Sequence, residues 1–254
     1  MAHEGFGELW SGREEIRYRL RYFVNAYPAL YMPLARLRHR DPSRTFPIVT
    51  RDTELVIEGF GRAGSTFAQF AFQSAQTHAI KIAHHTHAAA QVITAVKWGI
   101  PTLVIVRDPA NAALSHMVRH QVSAAAGLHA WMRFHERILP YRERIVLTRF
   151  EDMKRDFGEA IVRLNEKFET RFGVWQHTPE NEAKIFEQIR VRNRRLGEEV
   201  TPERLRDLAL PTPEREALKN QFRKKLEAPQ LAPLCARANA LYEEVTAAEA
   251  LVAA

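Results

Sequence analysis

The spacing of apolar positions changes along this chain, and the change divides it. Near the N-terminus Ile16, Leu20, Phe23, Val24 and Tyr27 recur at the spacing of one helical face, with Arg17, Arg19 and Arg21 between them. Pro28 and Pro33 are expected to break or re-aim this helix, and a short apolar piece from Leu34 to Leu37 runs into Arg38-His39-Arg40. From Glu54 the pattern turns to short continuous apolar runs: Leu55-Val56-Ile57, Ile80 to Ala83, Thr102 to Val106 and Ile145 to Leu147. Runs of that length, closed by Gly, Pro or charge, predict strands buried on both faces. Helical periods lie between them, over Ser65 to Ala75, Ala88 to Trp98, 110–124 and 128–139. After residue 155 only helical stripes remain, Ile161, Leu164, Phe168 and Phe172 in one and Leu234, Ala238, Leu241, Tyr242 and Val245 in the last. Residues 190–215, rich in Arg, Glu and Pro, predict a mobile or irregular connection.

Strands alternating with helices predict an α/β fold: a mostly parallel central sheet with helices on both faces, and a helical C-terminal part. Residues 1–50 form a helical N-terminal extension in this division, and 51–254 the α/β domain. The extension is expected to pack as a helical layer on that domain. Its basic, amphipathic character also suits peripheral contact with a membrane.

Composition narrows the function classes. The chain has 254 residues, 46% hydrophobic and 26% charged, which is an ordinary globular balance rather than a disordered one. The net charge of +7 calls for an anionic partner: a nucleotide, nucleic acid, acidic sugar or membrane surface. Nucleic acid is not expected, because no aromatic-and-basic signature and no zinc-finger spacing occur. Cys235 is the single cysteine, which excludes an intramolecular disulfide and a Cys-rich metal site. No apolar leader is evident, and the most apolar run, Val92 to Val106, is interrupted by Lys97 and Pro101. A soluble cytoplasmic protein is therefore expected.

Three stretches carry candidate chemistry. The first is Gly59-Phe60-Gly61-Arg62-Ala63-Gly64-Ser65-Thr66-Phe67, between a predicted strand and a predicted helix. Backbone N–H groups at such a turn converge on anionic oxygens. The spacing approaches the GxxxxGK[ST] loop, but Ser65 stands where a nucleotide kinase or NTPase keeps its Lys, and the loop's cation is Arg62 instead. The second is Val104-Ile105-Val106-Arg107-Asp108-Pro109, with Ser115 eight residues after Arg107. Arg107 ends a buried strand and presents a planar fork, and Ser115 falls two turns into the next helix. The third is Lys81-Ile82-Ala83-His84-His85-Thr86-His87, after the second strand. Lys81 fits either a leaving-group cation or a solvated strand end, and His84 fits a core position.

These stretches together resemble the PAPS-dependent sulfotransferase family, in which a Pro-Lys-Ser-Gly-Thr-Thr-like turn follows the first strand. Arg62 stands at the family's Lys, Ala63 at its Ser, Gly64 at its Gly, and Ser65 and Thr66 at its hydroxyl pair. Leu147-Thr148-Arg149-Phe150-Glu151-Asp152-Met153 is similar to the family's strand-to-helix Tyr-Glu-Asp-Leu segment. The resemblance spans residues 54–172. It implies a donor, 3′-phosphoadenosine 5′-phosphosulfate (PAPS), and a product, adenosine 3′,5′-bisphosphate. It implies that Gly61, Arg62, Ala63, Gly64, Ser65 and Thr66 cradle the 5′-phosphosulfate, and that Arg107 and Ser115 hold the 3′-phosphate. The family's Lys-Thr-His segment makes His87 the base by local pattern, whereas counting back from Arg107 favours His85. Arg62 would meet the charge on the leaving phosphate. The implied acceptor is the hydroxyl of a small molecule, carbohydrate, lipid or protein tyrosine, and no metal is implied. Two departures stand out: Arg62 and Ala63 replace the family's residues, and its Arg-Lys-Gly motif is missing. Arg223-Lys224-Lys225 is basic but lacks the glycine and is expected to be a solvated helical face. The alternatives are a P-loop kinase or NTPase, which the missing loop Lys opposes, and a non-catalytic nucleotide-binding member.

Overall fold

The computed structural model describes residues 12–38, 48–195 and 213–250. Four strands, β1 (Leu55–Gly59), β2 (Ile82–His84), β3 (Thr102–Val106) and β4 (Val146–Arg149), form one sheet in the order β2-β1-β3-β4, with every pair parallel. The strands are largely apolar because both faces are covered, with Glu58 of β1 and His84 of β2 buried among them. Leu55, Ile57, Leu103 and Ile105 face a core built with α3 (Ser65–Ser74), α8 (Phe157–Phe168) and α9 (Pro179–Arg195). Val104, Val106 and Leu147 face the opposite core. That second core draws on α4 (Ala89–Lys97), α5 (Pro109–His120), α6 (Ala124–Ile138), α10 (Pro213–Leu226) and α11 (Ala232–Ala250). A fully buried Leu, Ile or Val side chain contributes about 1.5–3 kcal/mol, so the strands anchor the fold. The fold is thus α/β on a parallel sheet. α7 (Phe150–Arg155) follows β4 directly.

Local signals explain several boundaries. Pro109 opens α5, and Asp108 caps it by accepting from the N–H of Asn111 at 2.8 Å. Ser123 caps α6 through the N–H of Ala126, so that helix starts at Ala124, before the expected 128. β2 starts at Ile82 rather than Ile80, because pairing begins where Leu55 meets Ile82.

Two expectations are corrected. α9 continues to Arg195 and α10 starts at Pro213, so residues 190–195 and 213–215 are helical rather than irregular; residues 196–212 lie outside the described residues. Ile185 and Ile189, four apart, anchor this otherwise polar helix in the core. The second correction concerns the first helix. α1 (Gly12–Asn25) packs on α6, and α2 (Pro28–Arg38) packs on α4, but the stripe of Ile16, Leu20 and Phe23 is exposed. Tyr18 and Tyr22 point inward instead, joining the main core. Their rings supply apolar area, and the Tyr18 hydroxyl finds a buried partner on His116, which an aliphatic residue could not use. Pro28 re-aims the chain as expected, α1 ending at Asn25 and α2 starting at Pro28, whereas Pro33 lies inside α2 without a break.

Candidate functional site

In this strand order the chain leaves β1 towards β2 on one side and returns to β3 on the other. The carboxyl ends of β1 and β3 therefore flank a crevice, the place where open α/β sheets take ligands. Register puts Gly59 beside Ile105, so the loop after β1 and Arg107 after β3 emerge at one level. Ile57 pairs with His84, which brings the histidine segment to the same edge.

The loop after β1 is held in a conformation that few sequences allow. A Cβ on Gly59 would lie 2.6 Å from the Ile105 carbonyl oxygen, so glycine is required by close packing against β3. Gly64 has φ +89°, and a Cβ there would meet Met153 at 2.7 Å. Arg62 adopts φ 70° without being glycine. Such backbone costs on the order of 1–3 kcal/mol and persists only where surrounding contacts impose it. Those contacts are visible. Arg107 Nη1 donates to the Arg62 carbonyl at 2.8 Å, and Trp131 Nε1 donates to the Arg107 carbonyl at 3.0 Å. Arg107 also lies over the Phe150 ring, its guanidinium carbon 4.5 Å from the centroid.

α3 begins straight from this loop at Ser65, and no side chain caps its N-terminus. Its first N–H groups are therefore turned towards the crevice end of the sheet. A second observation points to an anion. The hydroxyls of Ser65 and Ser115 are buried, with relative exposures of 3% and 1%, and have no hydrogen-bond partner among the described residues. Buried hydroxyls are nearly always bonded, so each of these two retains the capacity to bond an incoming oxygen.

The histidine segment is organised by a residue the sequence pattern did not single out. Glu58, the penultimate residue of β1, is wholly buried. Its Oε1 accepts from the Thr86 N–H (2.8 Å), the Thr86 hydroxyl (2.7 Å) and Gln91 Nε2 (2.8 Å). Its Oε2 accepts from the N–H of His87 at 3.1 Å. Burial pushes the Glu58 carboxyl up to about 7, against the opposing pull of these donors. A lone carboxylate inside an apolar strand, just before a Gly-containing loop, was the available signal.

Glu58 fixes the two turns that follow, where His85 and His87 take φ 61° and 52°. His87 Nδ1 lies 2.9 Å from the Gly59 carbonyl, which can only accept, so Nδ1 carries the proton. Burial holds His87 down to about 4, and a neutral ring with Nδ1–H leaves a lone pair on Nε2. The 3.9 Å approach of His87 Nδ1 to Glu58 Oε2 is accordingly not an ion pair near neutral pH. His85 differs. Its Nε2 bonds the Thr66 hydroxyl at 2.8 Å and its Nδ1 bonds His84 Nδ1 at 2.6 Å, so both ring nitrogens are engaged. His84 is buried. Among the described residues no group of His, Cys, Asp and Glu side chains converges as a metal site.

Cations surround His87. Arg119, Arg21 and Arg62 all act on it electrostatically, and Arg192 of α9 acts on His84 and His85. At the other side of the loop, Lys219 and Glu216 of α10 interact electrostatically with Arg107, and Arg215 acts on both of them. The sequence pattern gave no sign of these α10 residues. Arg223, Lys224 and Lys225 of the same helix are exposed. Lys81 sits at the opposite edge of the sheet, exposed and paired with Asp52, so it serves no role at the crevice.

The N-terminal helices brace the site from behind. His116 Nε2 lies 3.0 Å from the Gly61 carbonyl and must donate there, so its Nδ1 accepts from the Tyr18 hydroxyl at 2.9 Å. Tyr31 of α2 bonds the Thr86 side chain. One helix thus supports the loop and the other the histidine segment.

No protein-family model matches the chain, and no curated protein matches it. Among solved structures, it is similar to mouse sulfotransferase SULT7A1 complexed with PAP, at 11% identity and a TM-score of 0.41, over 76% of this chain and 90% of that one.

Proposed function

We propose that this chain transfers a sulfuryl group from PAPS to an acceptor hydroxyl. The observation that carries this reading is the joining of three groups at one sheet edge. A strained anion loop without the kinase Lys is tied by Arg107 to one side, and by Thr66 to the histidine segment on the other. The buried, unpartnered hydroxyls of Ser65 and Ser115 fit a nucleotide with phosphate at both ends.

In this reading the loop N–H groups, Ser65 and Thr66 hold the 5′-phosphosulfate, while Arg107 and Ser115 hold the 3′-phosphate, with Lys219 and Arg215 close by. The acceptor oxygen attacks sulfur, and the bond from sulfur to the 5′-phosphate oxygen breaks. The acceptor proton passes to His87 Nε2, the one ring nitrogen of the pair His85 and His87 that holds an available lone pair. Charge grows on the leaving phosphate oxygen, where Arg62 and the uncapped N-terminus of α3 stabilise it. Adenosine 3′,5′-bisphosphate leaves. Glu58 positions the base without touching the reactants.

The test is transfer of radiolabel from PAPS to a panel of sugar, lipid, phenol and small-alcohol acceptors. His87→Ala should lower turnover by about 10²–10⁴ and leave adenosine 3′,5′-bisphosphate affinity nearly intact. Wild-type turnover in His87→Ala, with loss in His85→Ala, would move the base to His85. No transfer to any acceptor class would leave a nucleotide-binding chain without this activity.

A further inference from the structure

The outward faces of α1 and α2 carry a surface that the fold leaves uncovered. Ile16, Leu20 and Phe23 on α1, and Leu30, Leu34 and Leu37 on α2, are six of the nine exposed large apolar side chains among the described residues. Exposure reaches 65% at Ile16, 60% at Leu20 and 63% at Leu37. Each set follows the spacing i, i+4, i+7, which is one straight stripe on a helix. The buried faces, Tyr18 and Tyr22 on α1 and Met32 and Ala35 on α2, pack on α6 and α4, so the stripes point outward, with Arg133 of α6 reaching over the Phe23 ring at their margin. Single exposed leucines need no explanation, but two aligned stripes on adjoining helices do.

Charge identifies what fits. At about 100° per residue, Arg13 and Arg17 flank one side of the α1 stripe and Arg19 the other, while Arg38 flanks the α2 stripe. All four are exposed. The two helices hold six arginines against two glutamates, Glu14 and Glu15. A second copy of this chain docked stripe to stripe would press like charges together. An anionic lipid surface would take both the apolar stripes and the basic flanks.

We propose that α1 and α2 dock this protein on an anionic membrane surface, with Ile16, Leu20, Phe23, Leu30, Leu34 and Leu37 inserted and the flanking arginines at the headgroups. No helix among the described residues is long and apolar enough to cross a membrane. The inner faces of the same helices brace the phosphate loop and the histidine segment.

The full chain would be sedimented with vesicles of phosphatidylcholine alone and of equal parts phosphatidylcholine and phosphatidylserine. Binding should favour the phosphatidylserine vesicles by at least about tenfold, since each basic side chain near an anionic leaflet strengthens binding by about fivefold. Leu20→Ser combined with Leu34→Ser should weaken it by at least about tenfold. Arg13→Ala with Arg17→Ala and Arg38→Ala should weaken it by about a hundredfold and flatten its salt dependence. All these side chains are exposed, so the melting temperature of each variant should stay near that of the wild type, which separates lost binding from lost fold. Equal binding to both vesicles, or no binding, overturns the proposal. So does a dimer in the absence of lipid that Leu20→Ser with Leu34→Ser dissolves, which would make the face a contact between copies.

Discussion

Lowering the pH from about 7.5 to about 5 asks this fold to charge histidines that it holds away from water. Burial keeps His84 and His87 down to about 4, and His120 and His135 down to about 3, from a usual 6.5. His85 and His116 are depressed in the same direction by the same cause. A group depressed in the folded state contributes stability that is complete above the unfolded value and is lost as pH falls towards the folded one. At about pH 5 each of the four rings is still neutral in the fold but protonated in the unfolded chain, a loss of about 2 kcal/mol each, or on the order of 8 together. Glu58 acts oppositely. Raised to about 7, its contribution is complete below about 4.5 and is lost as pH rises through 7, so acidification returns about 2 kcal/mol. The balance is a loss on the order of 6 kcal/mol, a large part of the 5–15 kcal/mol that typical domains have. Thermal unfolding followed by circular dichroism should show the midpoint falling by roughly 10–20 °C over this range. His135 lies against Trp131 within the core, the rings tilted by 32° with centroids 3.9 Å apart, and its Nδ1 bonds the Trp131 carbonyl. His135→Leu should return about 2 kcal/mol of the acid loss. A midpoint unchanged between the two pH values would refute the claim that these rings are buried and neutral.

Two further substitutions probe the site. Glu58→Ala leaves the N–H groups of Thr86 and His87 and the Gln91 amide without their buried acceptor; urea unfolding should show a loss on the order of 3–5 kcal/mol, and a loss under about 1 kcal/mol would mean the carboxylate does not anchor the segment. Arg62→Ala should lower kcat by about 10²–10³ with little change in adenosine 3′,5′-bisphosphate affinity, because its charge matters most as the sulfuryl group departs; turnover near wild type would make the loop a cradle only.

The sheet was legible because strands buried on both faces leave a plain mark, and Thr102–Val106 was read to the residue. Its order was not, since which strands pair depends on crossovers that local pattern does not encode. The Gly-containing loop after β1 and the place of Arg107 just past β3 were legible because glycine spacing and a cation at a strand end have local causes. Glu58 was missed because its importance comes from residues about thirty positions later, which the fold brings to its oxygens. Tyr18 and His116 were missed for the same reason, being 98 residues apart. In the first helix, the pattern marked an aliphatic stripe but not the side that faces the domain. The structure instead buries the tyrosines, whose hydroxyl chemistry serves the loop, and leaves the aliphatic face outside.

The central claim is that the crevice reads a nucleotide carrying phosphate at both its 5′ and 3′ positions. Isothermal titration calorimetry with adenosine 3′,5′-bisphosphate and with adenosine 5′-monophosphate tests it directly, since the two differ only in the 3′-phosphate. Hydrogen bonds to a charged group contribute about 1.5–3 kcal/mol, so the bisphosphate should bind roughly 10–100-fold more tightly. Arg107→Ala should remove most of that preference and leave the monophosphate affinity less changed. Equal affinities for the two nucleotides, or a preference that survives in Arg107→Ala, would contradict the account.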